Sequence, residues 1–168
     1  MDEVIAKIEA LVKKYPEHIK KYPPVKLDVV PATEKMLHFP IGPSLLEIYK
    51  YSDGLGFLDY ALLSINNKNM EKLATSNDTG TIKERGGIEF MGTSGDERFI
   101  LDTDGKTVRY ITEEFDDVGV VVATSVEGFF REFVAKIEVL MTHVGPDDVV
   151  RYFTDEDIQS EFSDWHVN

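Results

Sequence analysis

Cysteine is absent from the 168 residues, which excludes disulfides, thiolate nucleophiles, iron–sulfur clusters and cysteine-ligated zinc. Such a composition fits a reducing compartment, and a cytoplasmic location is the expectation. No apolar run approaches the roughly 20 residues that a bilayer crossing needs. The start, with Asp2 and Glu3, is unlike a secretory leader, so neither export nor a membrane span is expected. Only four histidines are present, His18, His38, His143 and His166. They stand too far apart to form the paired helical ligands of a metal site, and no metal or cofactor is expected. The one Gly/Ser-rich loop, Gly92-Thr93-Ser94-Gly95-Asp96, lacks the P-loop lysine and the glycine spacing of a dinucleotide fingerprint. Ser94 also lacks the elbow motif of a serine hydrolase. Asp102-Thr103-Asp104-Gly105 opens like a calcium loop, but the third acid and the closing glutamate are missing, and a hairpin turn explains it better. Neighbouring acids such as Glu113-Glu114 and Asp116-Asp117 read as a solvated turn and not as an acid–base pair. The chain is therefore not expected to be an enzyme.

Basic residues are scarce in one half only. Residues 1–86 hold 12 acids and 12 bases, whereas residues 87–168 hold 19 acids and 6 bases, so the whole net charge of −13 falls in the second half. An acidic surface repels nucleic-acid phosphates, which argues against direct DNA or RNA binding, and it attracts a basic protein. The plain alternative is that the charge serves solubility.

The length predicts one domain spanning residues 1–168. Val4, Ile5, Ile8, Leu11, Val12 and Tyr15 recur at helical spacing and predict an amphipathic helix ending near Pro16. Tyr22 to Pro31 holds three prolines and reads as an irregular connection into a short helix over Thr33–His38. Pro43 suits the first turn of a third helix carrying Leu45, Leu46, Ile48 and Tyr49, with Gly54 of Asp53-Gly54 as its left-handed stop. Phe57–Ile65 is apolar, and the polar stretch Asn66–Asn77 has room for a short helix. Ile88–Gly92, Arg98–Asp102, Thr107–Thr112 and Val118–Ala123 are rich in β-formers and separated by turn residues, which predicts an antiparallel meander. Thr124 with Glu127 reads as a capping box before a long helix of Phe129, Phe130, Phe133, Ile137, Leu140 and Met141. Gly145-Pro146 ends it. An acidic helical extension over 145–168 follows, with Ile158, Phe162 and Trp165 on a face expected to dock on the body. The fold class is α+β: an antiparallel meander with helices packed on one face.

Phe39-Pro40, the helix Ser44-Leu45-Leu46-Glu47-Ile48-Tyr49, Asp53-Gly54, the strand Ile88-Glu89-Phe90-Met91-Gly92, Gly95-Asp96 before a strand, and Val122-Ala123-Thr124-Ser125-Val126-Glu127-Gly128-Phe129 occur in an order that resembles the SUKH superfamily. The resemblance covers about residues 28–140. That group includes a fungal cell-wall synthesis regulator and many bacterial toxin-immunity proteins. The sequence departs from the family pattern at Phe39 (leucine), Asp53 (asparagine) and Val126 (aromatic). The resemblance implies a protein that binds and neutralises a cognate toxin, often a nuclease. Such a toxin carries cationic groups for phosphates, so an acidic partner suits it.

Candidate contacts are the acids of the loops beside the meander: Asp96, Glu97, Glu113, Glu114, Asp116 and Asp117. Two other readings stay open: a housekeeping scaffold or regulator of the same fold, or a small-ligand binder at a sheet-edge pocket near Ser94 and Asp96. The sequence leaves the oligomeric state and the partner's identity open.

Overall fold

A computed structural model describes residues 1–95, 97–111 and 119–144. The expected extension over 145–168 lies outside the described residues, as do Asp96, Glu113, Glu114, Asp116 and Asp117.

The chain runs α1 (Asp2–Lys14), β1 (Ile19–Lys21), α2 (Val30–Leu37), α3 (Pro43–Tyr51), β2 (Leu55–Phe57), β3 (Tyr60–Leu62), α4 (Leu73–Ser76), α5 (Thr79–Arg85), β4 (Gly87–Gly92), β5 (Arg98–Asp102), β6 (Val108–Ile111), β7 (Val120–Ala123) and α6 (Val126–Val144). All seven strands join one sheet in chain order, each antiparallel to the next. This is the expected α+β meander, extended at its start by three short strands.

Phe129, Phe133 and Ile137 stand one turn apart on α6 and are 0% exposed. Each contributes about 1.5–3 kcal/mol through burial. Phe133 meets Phe57 and Tyr60 edge-on with ring centroids 5.3 and 5.4 Å apart, and Phe129 lies 4.8 Å from Phe99. These contacts clamp α6 onto β2, β3 and β5 with the geometry that aromatic quadrupoles favour. α1 packs against α6 through Val4, Ile8 and Leu11, and one hydrophobic cluster runs through both. α4 and α5 touch β4 instead, and Arg85 of α5 pairs with Glu89, the β4 residue between the core residues Ile88 and Phe90.

Several boundaries differ from expectation for physical reasons. Tyr22–Pro31 is not irregular throughout: a 3-10 turn forms over Leu27–Val29 and α2 starts at Val30, with Pro31 in its first turn, where the missing N–H costs nothing. α3 ends at Tyr51, and Ser52 leaves it in an extended conformation, so Gly54 (φ 105°) shapes the entry to β2 and does not cap the helix. The N-cap of α6 is Ser125 and not Thr124: Ser125 Oγ accepts from Gly128 N–H at 3.0 Å. Glu127 turns away from this cap and meets the Met1 ammonium at 2.5 Å, which holds its carboxyl below the usual range. β1 and α5 form where no sequence period predicts an element. The short helix within Asn66–Asn77 is α4, and the hairpin at Asp104-Gly105 forms as expected, with Gly105 at φ 68°.

Candidate partner-binding site

The register of the meander decides which turns share an end of the sheet. Gly92 pairs with Arg98, and Arg98 with Ile111. Thr93 to Gly95, Glu97 and the Ile111 end of β6 therefore stand at the same end. Ala61 pairs with Gly92 and Phe57 with Tyr60, which brings the Leu58-Asp59 turn to that end as well. Leu58 holds φ 58° there, a left-handed conformation unusual for a branched side chain. Its N–H donates to the His18 carbonyl at 3.0 Å, which helps to fix it.

Asp59 is an acid that the sequence reading missed. Its carboxylate accepts from Ser94 Oγ at 2.9 and 3.1 Å, which ties the β2–β3 turn to the β4–β5 turn. Ser94 thus serves as a clasp. The available signal was Phe57-Leu58-Asp59-Tyr60, a two-residue turn between aromatics, which Phe57–Ile65 taken as one apolar segment concealed.

Glu97 is the one candidate contact residue inside the described region. It is half-buried, and its Oε1 accepts from the Tyr60 hydroxyl at 3.2 Å and from the Tyr110 hydroxyl. Both tyrosines belong to the aromatic cluster, with Phe99 centred 6.0 Å from Tyr60 and 5.3 Å from Tyr110. The carboxylate therefore closes the aromatic layer where it reaches the acidic end, and is held in one orientation. Nothing in its sequence neighbourhood signals the two hydroxyls, because they come from strands β3 and β6.

Behind the same end, the face of the sheet away from α6 carries a set of ion pairs. Glu89, 7% exposed, receives Arg85 Nη1 at 2.9 Å and Arg98 Nε at 3.1 Å. Burial pushes its carboxyl above the usual range, against the opposing pull of Arg98 and then Arg85. Arg109 Nε meets Asp102 Oδ1 at 2.5 Å, and its Nη2 donates to the Arg85 carbonyl. Asn77 completes the strand edge: Glu89 N–H donates to Asn77 Oδ1 at 2.7 Å, and Asn77 Nδ2 donates to the Glu89 carbonyl at 2.7 Å. These bonds satisfy backbone groups that β3 leaves unpaired as it diverges from β4.

Among the described residues, no group of three or more histidines, aspartates and glutamates is placed to hold a metal ion. No described helix is long and apolar enough to cross a membrane. Compared with known proteins, the chain matches no family model and no curated relative.

Proposed function

We propose that this protein is a non-catalytic, cytoplasmic binding module of the SUKH type, an immunity protein that neutralises a basic toxin, with a nuclease as the expected partner. The observation that carries the reading is that the described acids Asp59 and Glu97 stand at one end of the sheet. Gly95 and Glu97, which flank Asp96 in the chain, and Ile111 and Gly119, which flank the segment of Glu113, Glu114, Asp116 and Asp117, belong to that end. Acids grouped at one end of a rigid sheet act on an approaching basic surface together and raise its association rate by roughly 10–10³-fold at low salt. Support also comes from the order of motifs over residues 28–140. Loops on a rigid scaffold are where binding residues belong, since they change without disturbing the core.

Affinity capture with this chain as bait, against the products of neighbouring open reading frames at low and high salt, tests the proposal. A captured basic protein that is toxic alone and harmless beside this chain is the expected result. Capture of only an endogenous, non-toxic partner would replace immunity by the scaffold reading.

A further inference from the structure

A cavity of about 410 Å³ opens between α4, α5 and the sheet face carrying Glu89. Its size falls at the lower end of the range for small-ligand sites, roughly 300–1,000 Å³. Ala61 and Leu63 supply apolar lining, and charged and hydroxyl groups supply most of the rest. A polar ligand fits this lining better than a hydrocarbon.

The charges divide into two kinds. Arg85 and Arg98 share the single carboxylate of Glu89, so this trio carries one net positive charge. Each guanidinium has five N–H donors in a fixed fork. Arg85 spends Nη1 on Glu89, while Arg98 spends Nε on Glu89 and Nη1 on the Thr93 and Glu97 carbonyls at 3.2 and 2.8 Å. Among the described residues, Nη2 of either arginine meets no further acceptor. Asp59 and Glu71 are the opposite case. Each is held by a serine hydroxyl, Asp59 by Ser94 and Glu71 by Ser76 at 2.7 Å. Neither has a cation within ion-pair distance among the described residues. Glu71 stands close enough to Glu89 for its charge to be felt there.

A simple anion in this cavity would gain the two arginine forks but meet the charges of Asp59 and Glu71. A simple cation would gain the carboxylates but meet the guanidiniums. A molecule bearing both charges satisfies both sets. We propose that the cavity binds a small zwitterion, with its carboxylate on Arg85 and Arg98 and its ammonium on Asp59 and Glu71. The cavity shares Asp59 with the acidic end of the sheet, but the proposal does not rest on the partner-binding reading, since Arg85, Arg98 and Glu71 take no part in that reading.

The test is an NMR titration of the full chain, following backbone amides and arginine Nε–H signals, with glycylglycine, acetate and methylammonium as separate probes. Saturable shifts at Arg85 and Arg98 are expected with glycylglycine, at least tenfold tighter than with either single-charge probe. Glu71→Gln changes an exposed residue and leaves the amide spectrum of a folded chain; it should weaken glycylglycine binding at least tenfold, as should Asp59→Asn. The absence of saturable shifts with glycylglycine would overturn the proposal. Acetate or methylammonium binding as tightly as glycylglycine would also overturn it, in favour of a plain anion or cation site.

Discussion

Replacing Asp53 by asparagine keeps its shape and changes what one atom offers. Asp53 is 5% exposed, and its two oxygens serve two donors: Oδ1 accepts from Ile65 N–H at 2.6 Å and Oδ2 from Asn66 N–H at 3.0 Å. A carboxylate has only acceptors to present, whereas asparagine would point its NH2 at one of these N–H groups. The opposing effect is desolvation, because among the described residues no cation lies within ion-pair distance of the charge, and a neutral amide relieves that cost. Hydrogen bonds to a charged group contribute about 1.5–3 kcal/mol each, more than neutral ones, and here one is lost and one weakened. Asn66 is exposed, so water screens part of the charge and limits the relief. The net expectation for Asp53→Asn is a loss of about 1–3 kcal/mol. Asp53→Ala also strands the buried Ile65 N–H and should cost about 2–4 kcal/mol. For a chain of this size each kcal/mol lowers Tm by about 2–4 °C. Urea unfolding followed by circular dichroism, with an unchanged m-value, measures both variants. An asparagine variant as stable as the parent would show that desolvation outweighs the hydrogen bonds and refute the reasoning.

Three further outcomes are expected. Phe133→Ala removes a ring that is 0% exposed and packs on Phe57, Tyr60, Phe99 and Phe129; urea unfolding should show a loss of about 3–5 kcal/mol. Glu9 is held down to about 2, first by the Tyr51 hydroxyl at 2.6 Å and then by Lys21. A depressed carboxyl contributes stability above its unfolded value, and that contribution is lost as pH falls from about 4.5 toward 2. Tyr51→Phe should therefore move the Glu9 titration upward, read by NMR, and an unmoved titration would deny the tyrosine its role. Gly87→Ala would drive a methyl group into the Leu101 carbonyl and to 2.9 Å from Ile100 Cγ2, whereas Gly105→Ala at φ 68° meets nothing within 4 Å. The first should cost about 1–3 kcal/mol through overpacking and the second about 1–2 kcal/mol through backbone strain alone. Equal m-values and a larger loss at Gly87 in chemical denaturation would bear this out.

How much was legible in the sequence depended on whether an element carries its own apolar period. α1 and α6 each turn a stripe into the core, and β4 to β7 alternate β-formers with turn residues, so pattern alone located them. β1 is three residues long with only Ile19 buried, too short to show a period. α5 has no buried residue and begins Thr-Gly-Thr, so it has no stripe to read. Its one signal was Asp78, whose carboxylate accepts from Thr81 N–H at 2.8 Å and caps the helix. The acids were visible as composition, but that Asp59 and Glu97 share one end of the sheet follows from register, which no single segment encodes. The Glu97 tyrosines and the Arg85–Glu89–Arg98 trio were hidden for the same reason: each unites residues from separate elements.

Under the proposal, the acidic end of the sheet recognises a basic toxin. Its most direct test is the association rate between this chain and the basic protein captured with it, measured by stopped flow over a range of ionic strength. The comparison is with a variant carrying Glu113→Gln, Glu114→Gln, Asp116→Asn and Asp117→Asn. Association at least tenfold slower at low salt, a flattened salt dependence and weaker protection of toxin-expressing cells are expected. Rates and salt dependence indistinguishable from the parent would contradict it.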